Sequence, residues 1–241
     1  AGLDPIDQPI PIQPAQHYSM GGIDVDATCA SPVEGFYAAG ECACVSVHGA
    51  NRLGGNSLLE SIVFGKIAGE SASRYLSGTL GETAGDRETA EAGRALLARM
   101  HSIRERRIGE NVFHLLNRLK RLMSDTAGIF RDAGRLRRGL EDLAELRESY
   151  RRVFIFGTCV RYCQEMVVLV EFEHMLEIAH VILLGALMRE ETRGSHFRTD
   201  FPARNDASWL KHTIVTWTER GPDVSYRDVQ IGRYAPQERK Y

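Results

Sequence analysis

Residues 48–60, His-Gly-Ala-Asn-Arg-Leu-Gly-Gly-Asn-Ser-Leu-Leu-Glu, decide how the first part of this chain folds. Small residues on both sides of Arg52 predict turns, and the apolar residues after Ser57 predict a helix that begins there, with Ser57 as its N-cap. The N–H groups of a helix's first turn lack intrahelical partners and carry partial positive charge, to which Arg52 adds a full charge. This combination is typical of a site that holds an anion.

The sequence on either side of this stretch predicts an α+β fold that is mainly α. Residues 21–26 alternate like a strand that leaves a turn, and residues 35–40 are predicted to form a buried strand that ends at glycine. Between about 87 and 190, four segments repeat apolar residues at helical spacing, and their short connections predict an antiparallel helical bundle. Asp132 is a plausible N-cap within it.

The predicted division of the chain has three parts. Residues 1–78 hold the short strands and one helix, residues 79–190 hold the bundle, and residues 191–241 form a small strand-containing extension. The glycine-rich stretch 76–86 reads as the linker. Segments 212–218 and 224–231 predict a hairpin across 219–223.

Composition excludes several classes of protein. A net charge of −2 and interleaved acidic and basic residues argue against nucleic acid, so the arginine groups at 104–107 and 135–138 are expected on solvated or docking helix faces. Five cysteines, with spacings C-x-C and C-x-x-x-C, predict reduced, buried or half-buried thiols and no metal site. The apolar run 178–188 is too short to span a membrane and predicts a core helix.

Four separated segments resemble the flavoprotein subunit of succinate dehydrogenase and fumarate reductase, in the order in which that family has them. They are residues 11–23, 40–60, 189–202 and 209–213. The resemblance covers only the C-terminal part of the family. It implies that the Gly-x-Gly-x-x-Gly turn for the FAD pyrophosphate, the capping domain with its proton-donating arginine, and the histidine bonded to the flavin all lie upstream. We therefore expect this chain alone neither to bind FAD tightly nor to turn over fumarate.

The resemblance assigns roles to five residues. His17 and Arg52 fall on the residues that bind the carboxylates of fumarate or succinate. Glu41 falls on the glutamate that accepts hydrogen bonds from the ribityl or adenosine hydroxyls of FAD, and Ser57 and Leu58 present main-chain groups to the pyrimidine end of the flavin. Without the resemblance, the histidine would be an ordinary hydrogen-bonding residue, and the arginine and glutamate would pair with nearby opposite charges.

Two other features are expected to be structural. His48 has no role implied by the resemblance and is taken as structural. The segment Arg193-Gly-Ser-His196 predicts a tight turn with structural and inter-subunit contacts.

The function implied by the resemblance is interconversion of fumarate and succinate by hydride transfer with FAD. The parent would work in the tricarboxylic acid cycle or in anaerobic respiration. It would be a cytoplasmic protein peripheral to the inner face of the membrane, coupled to an iron–sulfur subunit, membrane anchor subunits and a quinone. L-Aspartate oxidase shares the histidine and arginine motifs, but residues 209–213 and the tail resemble the respiratory subunits more. A third hypothesis is a non-catalytic helical assembly module that docks an iron–sulfur partner, with possible self-association of the fragment.

Overall fold

The computed structural model describes residues 2–12, 16–78, 86–157 and 161–237. The chain divides into two compact units, Ala1–Glu82 and Thr83–Tyr241. The mainly helical α+β class is confirmed. Most of the predicted linker, residues 79–85, lies outside the described residues, as does Cys159. The three-part division at residues 78 and 190 stays a prediction.

Short parallel pairing organises the first unit. Strand β1 (Ile23–Asp24) pairs in parallel with β2 (Ala43–Cys44), which follows a 3-10 turn over Gly40–Cys42. The side chains of Val25, Ala38 and Ala43 form a small core. A side chain on Gly22 would overlap the carbonyl group of Cys42, so this close approach requires glycine.

Both predicted strands of this unit are shorter than expected. Strand 21–26 reduces to Ile23–Asp24, because the Asp26 carboxylate binds the N–H groups of Thr28 and Ala30 and turns the chain. The prediction of a regular strand over 35–40 is wrong. Within 35–40, only Tyr37 forms a β-bridge, to Ala30. A turn precedes Tyr37, and Gly35 and Gly40 have positive φ angles that interrupt the extended backbone on either side.

Helix α1 (Asn56–Gly78) follows the arginine turn. It begins one residue before Ser57, so the prediction of Ser57 as N-cap is wrong: the turn that Asn56 N–H closes on the Leu53 carbonyl already leads into the helix. Its first apolar residues face outward, and Leu58 is 71% exposed. The inward side carries Glu60 and Ser71 instead. An apolar row left in water is a face that needs a covering partner.

The second unit is built on helices α2 (Asp86–Glu105), α3 (Val112–Thr126), α4 (Ala133–Tyr150) and α5 (Gln164–Met188). The last three pack against one another in pairs and enclose the main apolar core. The predicted bundle is confirmed, and the four helices do not contribute equally to it. Helix α2 joins only through its C-terminal end, where Ile103 is buried, while Leu96 and Leu97 are 48% and 62% exposed.

Polar side chains cap the starts of two bundle helices, α3 and α4. The Asn111 side chain accepts hydrogen bonds from the N–H groups of Phe113 and His114 at the start of α3. The Asp132 side chain accepts one from the N–H of Arg135 at the start of α4, as predicted. Each such cap satisfies donors that the helix itself cannot, which is worth about 1 kcal/mol.

The C-terminal segment returns to short strands. Strand β3 (Phe130–Arg131) pairs in parallel with β4 (Phe197–Arg198), and helix α6 (Asp206–Trp209) leads into the hairpin of β5 (Lys211–Thr218) and β6 (Gly221–Asp228). The hairpin is confirmed, although its loop is shorter than predicted, because Thr218 pairs directly with Gly221. Among the described helices, none combines the length and the apolar character needed to cross a bilayer.

Candidate functional site

The guanidinium group of Arg52 is the centre of the candidate site. Its Nη1 donates to the carbonyl of Leu53 at 3.0 Å, and its Cζ lies 5.4 Å from the centroid of the Tyr18 ring. Its Nε is buried and has no hydrogen-bond partner within the described part of the chain. No ion pair to Arg52 occurs among those residues, so the interpretation as a charge-paired turn arginine finds no support. The guanidinium retains donors for a ligand.

Tyr18 brings the histidine segment to Arg52. Its φ angle is 72°, an uncommon value for a residue with a side chain, and its hydroxyl donates to the carboxylate of Glu60. Burial, followed by this hydrogen bond, raises the pKa of Tyr18 to about 12. The hydroxyl therefore stays protonated at neutral pH and remains a donor.

Glu60 joins three parts of the first unit. Its side chain points inward from α1, with the residue 4% exposed, and its Oε2 lies 2.6 Å from His48 Nε2. The rings of His48 and Tyr18 meet edge to face, with centroids 5.4 Å apart. A buried carboxylate needs such partners, because an unpaired one would be strongly destabilising. The contact gives His48 the structural role that was expected for it.

Glu41 holds the same histidine segment from the other side. Its Oε1 accepts a hydrogen bond from the N–H of Ser19 at 2.9 Å, and its side chain is exposed in the 3-10 turn. Among the described residues, no lysine pairs with Glu41. His17 is exposed and directly precedes Tyr18. Residues 17–19 are thus tied at two points, by Glu41 and by Glu60, which brings the His17 segment to the Arg52 turn.

Ser57 and Leu58 lie in the first turn of α1. The Ser57 carbonyl accepts a hydrogen bond from Ser61 Oγ at 2.9 Å, and the Leu58 side chain is exposed. The first N–H groups of a helix have no intrahelical acceptor, so this turn retains donors for a ligand although Ser57 is not the cap.

Sequence reasoning missed Tyr18 and Glu60 as members of the site. Tyr18 directly follows His17, and no pattern in the sequence marks it as a site residue. Glu60 stands three residues after Ser57, the spacing of a capping box, which would have directed its carboxylate to the helix start. It turns inward instead. A charged residue on an otherwise apolar helical stretch was the available signal.

A second polar cluster lies at the C-terminal end of α5, in the second unit. The Arg198 guanidinium, 1% exposed, donates to the carbonyls of Ala186, Leu187 and Arg189 and to both carboxylate oxygens of Asp200. These carbonyls are the groups that the helix end leaves without donors. Asp200 also accepts from the N–H of Ala133, which ties the start of α4 to the end of α5.

The turn at 193–196 is confirmed as part of this cluster. The main chains of Arg193 and His196 exchange two hydrogen bonds, with Gly194 at a positive φ of 58°. Arg193 donates to the fully buried Glu191 and to Asp206. Burial lowers the pKa of His196 to about 4, and nearby arginines keep it low. The contacts seen are structural, and the inter-subunit contacts stay a prediction.

The arginine groups and the cysteines complete the set of predicted features. Arg135, Arg137 and Arg138 are exposed, whereas Arg106 donates to the carbonyls of Arg151 and Val153. Cys29 is buried, and Cys44 and Cys163 are half-buried, but Cys42 is exposed, contrary to the prediction. The four described cysteines are all free thiols. The described residues contain no group of three or more histidine, cysteine or acidic side chains that could hold a metal ion.

Comparison with known proteins extends along almost the whole chain. A family described as fumarate reductase flavoprotein C-term matches residues 116–241, and one described as FAD binding domain matches residues 1–58. The fumarate reductase flavoprotein subunit of Haemophilus influenzae is 33% identical, over 100% of this chain and 40% of its own length. The succinate dehydrogenase flavoprotein subunit of Coxiella burnetii is 36% identical, over 96% of this chain and 40% of its own.

A solved structure gives the same result for the fold. The quinol fumarate reductase of E. coli matches with a TM-score of 0.91 at 33% identity, covering 98% of this chain and 41% of that one. The chain therefore spans about 40% of the length of the relatives it matches.

Proposed function

Because the chain belongs to the family of fumarate reductase flavoproteins, we propose that it is part of an FAD-dependent oxidoreductase that interconverts fumarate and succinate. The observation that carries this proposal is the Arg52 guanidinium, which is held against the Tyr18 ring with a buried Nε left without a partner. A planar guanidinium with unused donors binds a carboxylate through two parallel hydrogen bonds.

The two binding groups suit a dicarboxylate. Arg52 grips one carboxylate, and the exposed imidazole of His17, one residue from the ring that supports Arg52, donates to a carboxylate oxygen. A small, rigid substrate held by two such groups has one orientation. Hydride transfer depends on that orientation, because the reacting atoms must lie about 3–3.5 Å apart.

The residues present fit FAD by the chemistry of their donors and acceptors. The exposed carboxylate of Glu41 accepts from ligand hydroxyls, and the first turn of α1 at Ser57 and Leu58 offers N–H groups to an anionic ring. FAD, when bound, supplies the hydride chemistry. The exposed apolar row of α1 beside these residues is consistent with a face that the rest of the flavin domain covers.

The same proposal extends to partners and place. We propose that the parent works with an iron–sulfur subunit and membrane anchor subunits, through which electrons pass to or from a quinone, at the cytoplasmic side of the membrane. Iron–sulfur clusters carry single electrons, so they couple hydride transfer to or from the substrate to the quinone.

The test uses the full-length parent protein and this chain side by side. The parent is expected to contain flavin, to oxidise a reduced dye when fumarate is added, and to reduce an oxidised dye with succinate. The isolated 241-residue chain is expected to purify without stoichiometric flavin and without activity. Oxidation of L-aspartate by the parent, with no fumarate reduction, would replace the proposal with an aspartate oxidase.

A further inference from the structure

The carboxylate of Glu60 has no part in the proposed chemistry, yet Glu60 is the most buried acidic residue among the described residues of the first unit. It accepts from the Tyr18 hydroxyl and contacts His48 Nε2 at 2.6 Å. Both contacts reach across the fold, from α1 to residues 42 and 12 positions earlier in the chain. Burying a carboxylate costs several kcal/mol of solvation free energy. We infer that the hydrogen bonds of Glu60 to its partners offset this cost, and that holding these partners in place is its role.

We propose that Glu60 is a positioning residue for substrate binding, which it serves by fixing Tyr18 as the platform for the Arg52 guanidinium. This inference rests on the proposed function and adds to it a residue that does not touch the substrate. The chain of contacts runs from Glu60 to the Tyr18 hydroxyl, and from the face of the Tyr18 ring to the Arg52 Cζ at 5.4 Å.

Arg52 needs this platform because little else orients it. Its side-chain hydrogen bond to Leu53 joins it only to the next residue of the same turn. An arginine side chain otherwise samples many rotamers, and ordering it on substrate binding would cost affinity. A ring face within 6 Å restrains the guanidinium before the substrate arrives.

The charge of Glu60 adds to the effect of its position. A phenol that donates to a carboxylate carries more electron density on its ring, which strengthens the attraction of the ring face for a cation. Tyr18 also adopts a positive φ of 72°, a backbone conformation that the surrounding contacts must maintain. The ring of His48 contacts the Tyr18 ring edge to face.

The test compares Glu60→Gln and Tyr18→Phe in the full-length parent, with Ser71→Ala as the matched control. Ser71 is the other buried polar residue on α1, where Arg74 binds its hydroxyl, and it lies outside the site. We expect Glu60→Gln and Tyr18→Phe each to raise the KM for fumarate and the Kd for malonate, a non-reactive dicarboxylate, by about tenfold. The turnover number should fall much less. The control should leave both constants unchanged, whatever it does to the melting temperature.

The double variant of Glu60→Gln with Arg52→Lys tests the route of the effect. Because Glu60 acts through Arg52, the second substitution should add almost nothing to the KM and Kd of the Arg52→Lys protein. If the effects of the two substitutions on KM and Kd are additive, or if Glu60→Gln alone leaves KM and Kd unchanged, the proposal is overturned. If the Glu60→Gln protein does not fold, the KM and Kd of Tyr18→Phe decide it. If Arg52→Lys alone leaves both constants unchanged, the proposed function of Arg52 fails first.

Discussion

Replacing Arg198 by methionine should destabilise the second unit by about 3–5 kcal/mol. The guanidinium is 1% exposed, and its loss removes the donor of the Ala186 and Leu187 carbonyls at the end of α5 and the two hydrogen bonds that it donates to Asp200. The Arg189 carbonyl keeps His196 Nε2 at 3.1 Å. Each buried polar group that loses its hydrogen-bond partner costs about 1–3 kcal/mol. The total is smaller than the sum of these costs, because solvent can reach Asp200 and replace part of what it loses. The total is a large share of a domain's stability of about 5–15 kcal/mol.

Urea unfolding followed by tryptophan fluorescence measures this directly. The chain has two tryptophans, and both Trp209 and Trp217 belong to the second unit, so the signal reports that unit. Arg151→Met is the matched control, because the Arg151 side chain is 76% exposed and, in the part of the chain that the structure describes, forms an ion pair only with Glu148. It should cost at most about 0.5 kcal/mol. A loss for Arg198→Met as small as that of the control would refute the reasoning.

The pH dependence of the same variant gives a second check. Arg198 holds the pKa of the Asp200 carboxyl well below its usual range. A depressed pKa in the folded state stabilises the protein above the unfolded value of about 3.9, and this contribution is lost as the pH falls further. The deficit of Arg198→Met relative to the original chain should therefore shrink below about pH 4. A deficit that grew in acid would contradict the assignment of the pair.

Three further predictions follow from other parts of the structure. In the full-length parent, Arg52→Lys should lower kcat/KM by about 100-fold with little change in melting temperature, because lysine keeps the positive charge but loses the forked donor geometry of the guanidinium. An unchanged kcat/KM would show that Arg52 is not part of the site. Backbone amide hydrogen exchange should be slow in residues 112–188 and fast in residues 1–56, because the strands of the latter are only two residues long. Equal protection of both ranges would show that residues 1–56 are bound to another chain or to a second copy of this one. Because burial lowers the pKa of His196 from 6.5 to about 4, the unfolded state binds more protons between these values, and the free energy of unfolding should decrease as the pH is lowered from 6.5 to 4. His196→Gln should flatten this slope in urea titrations, and an unchanged slope would assign it to other groups.

Local features of the helices could be predicted because their causes are local. Asp132 caps α4 because its side chain reaches an N–H three residues away, whatever the rest of the chain does. The hairpin of β5 and β6 was predictable for the same reason, since its two strands are neighbours in sequence. The predicted helix beginning at Ser57 was off by one residue, because the turn that closes on Leu53 starts it earlier.

The extent of burial could not be predicted from periodicity. The apolar stripe of α2 has the spacing of a core helix, yet Leu96 and Leu97 stay exposed while Ile103 is buried. Spacing determines which residues share a face, but not which element covers that face. The apolar residues at the start of α1 show the same difference between helical spacing and burial. They were correctly predicted to be helical, but among the described residues of their unit no element covers them.

The sequence by itself determined the arginine turn before a helix and the family that the chain resembles, and that resemblance implies the roles predicted for His17, Arg52 and Glu41. The turn and the family motifs are short runs of adjacent residues, so they can be recognised without the rest of the fold. Only the tertiary structure decided that Glu60 turns inward to Tyr18 and His48, and that the Tyr18 ring supports Arg52. Residues 42 positions apart meet only because the intervening chain folds back on itself, and short-range sequence patterns do not specify that path.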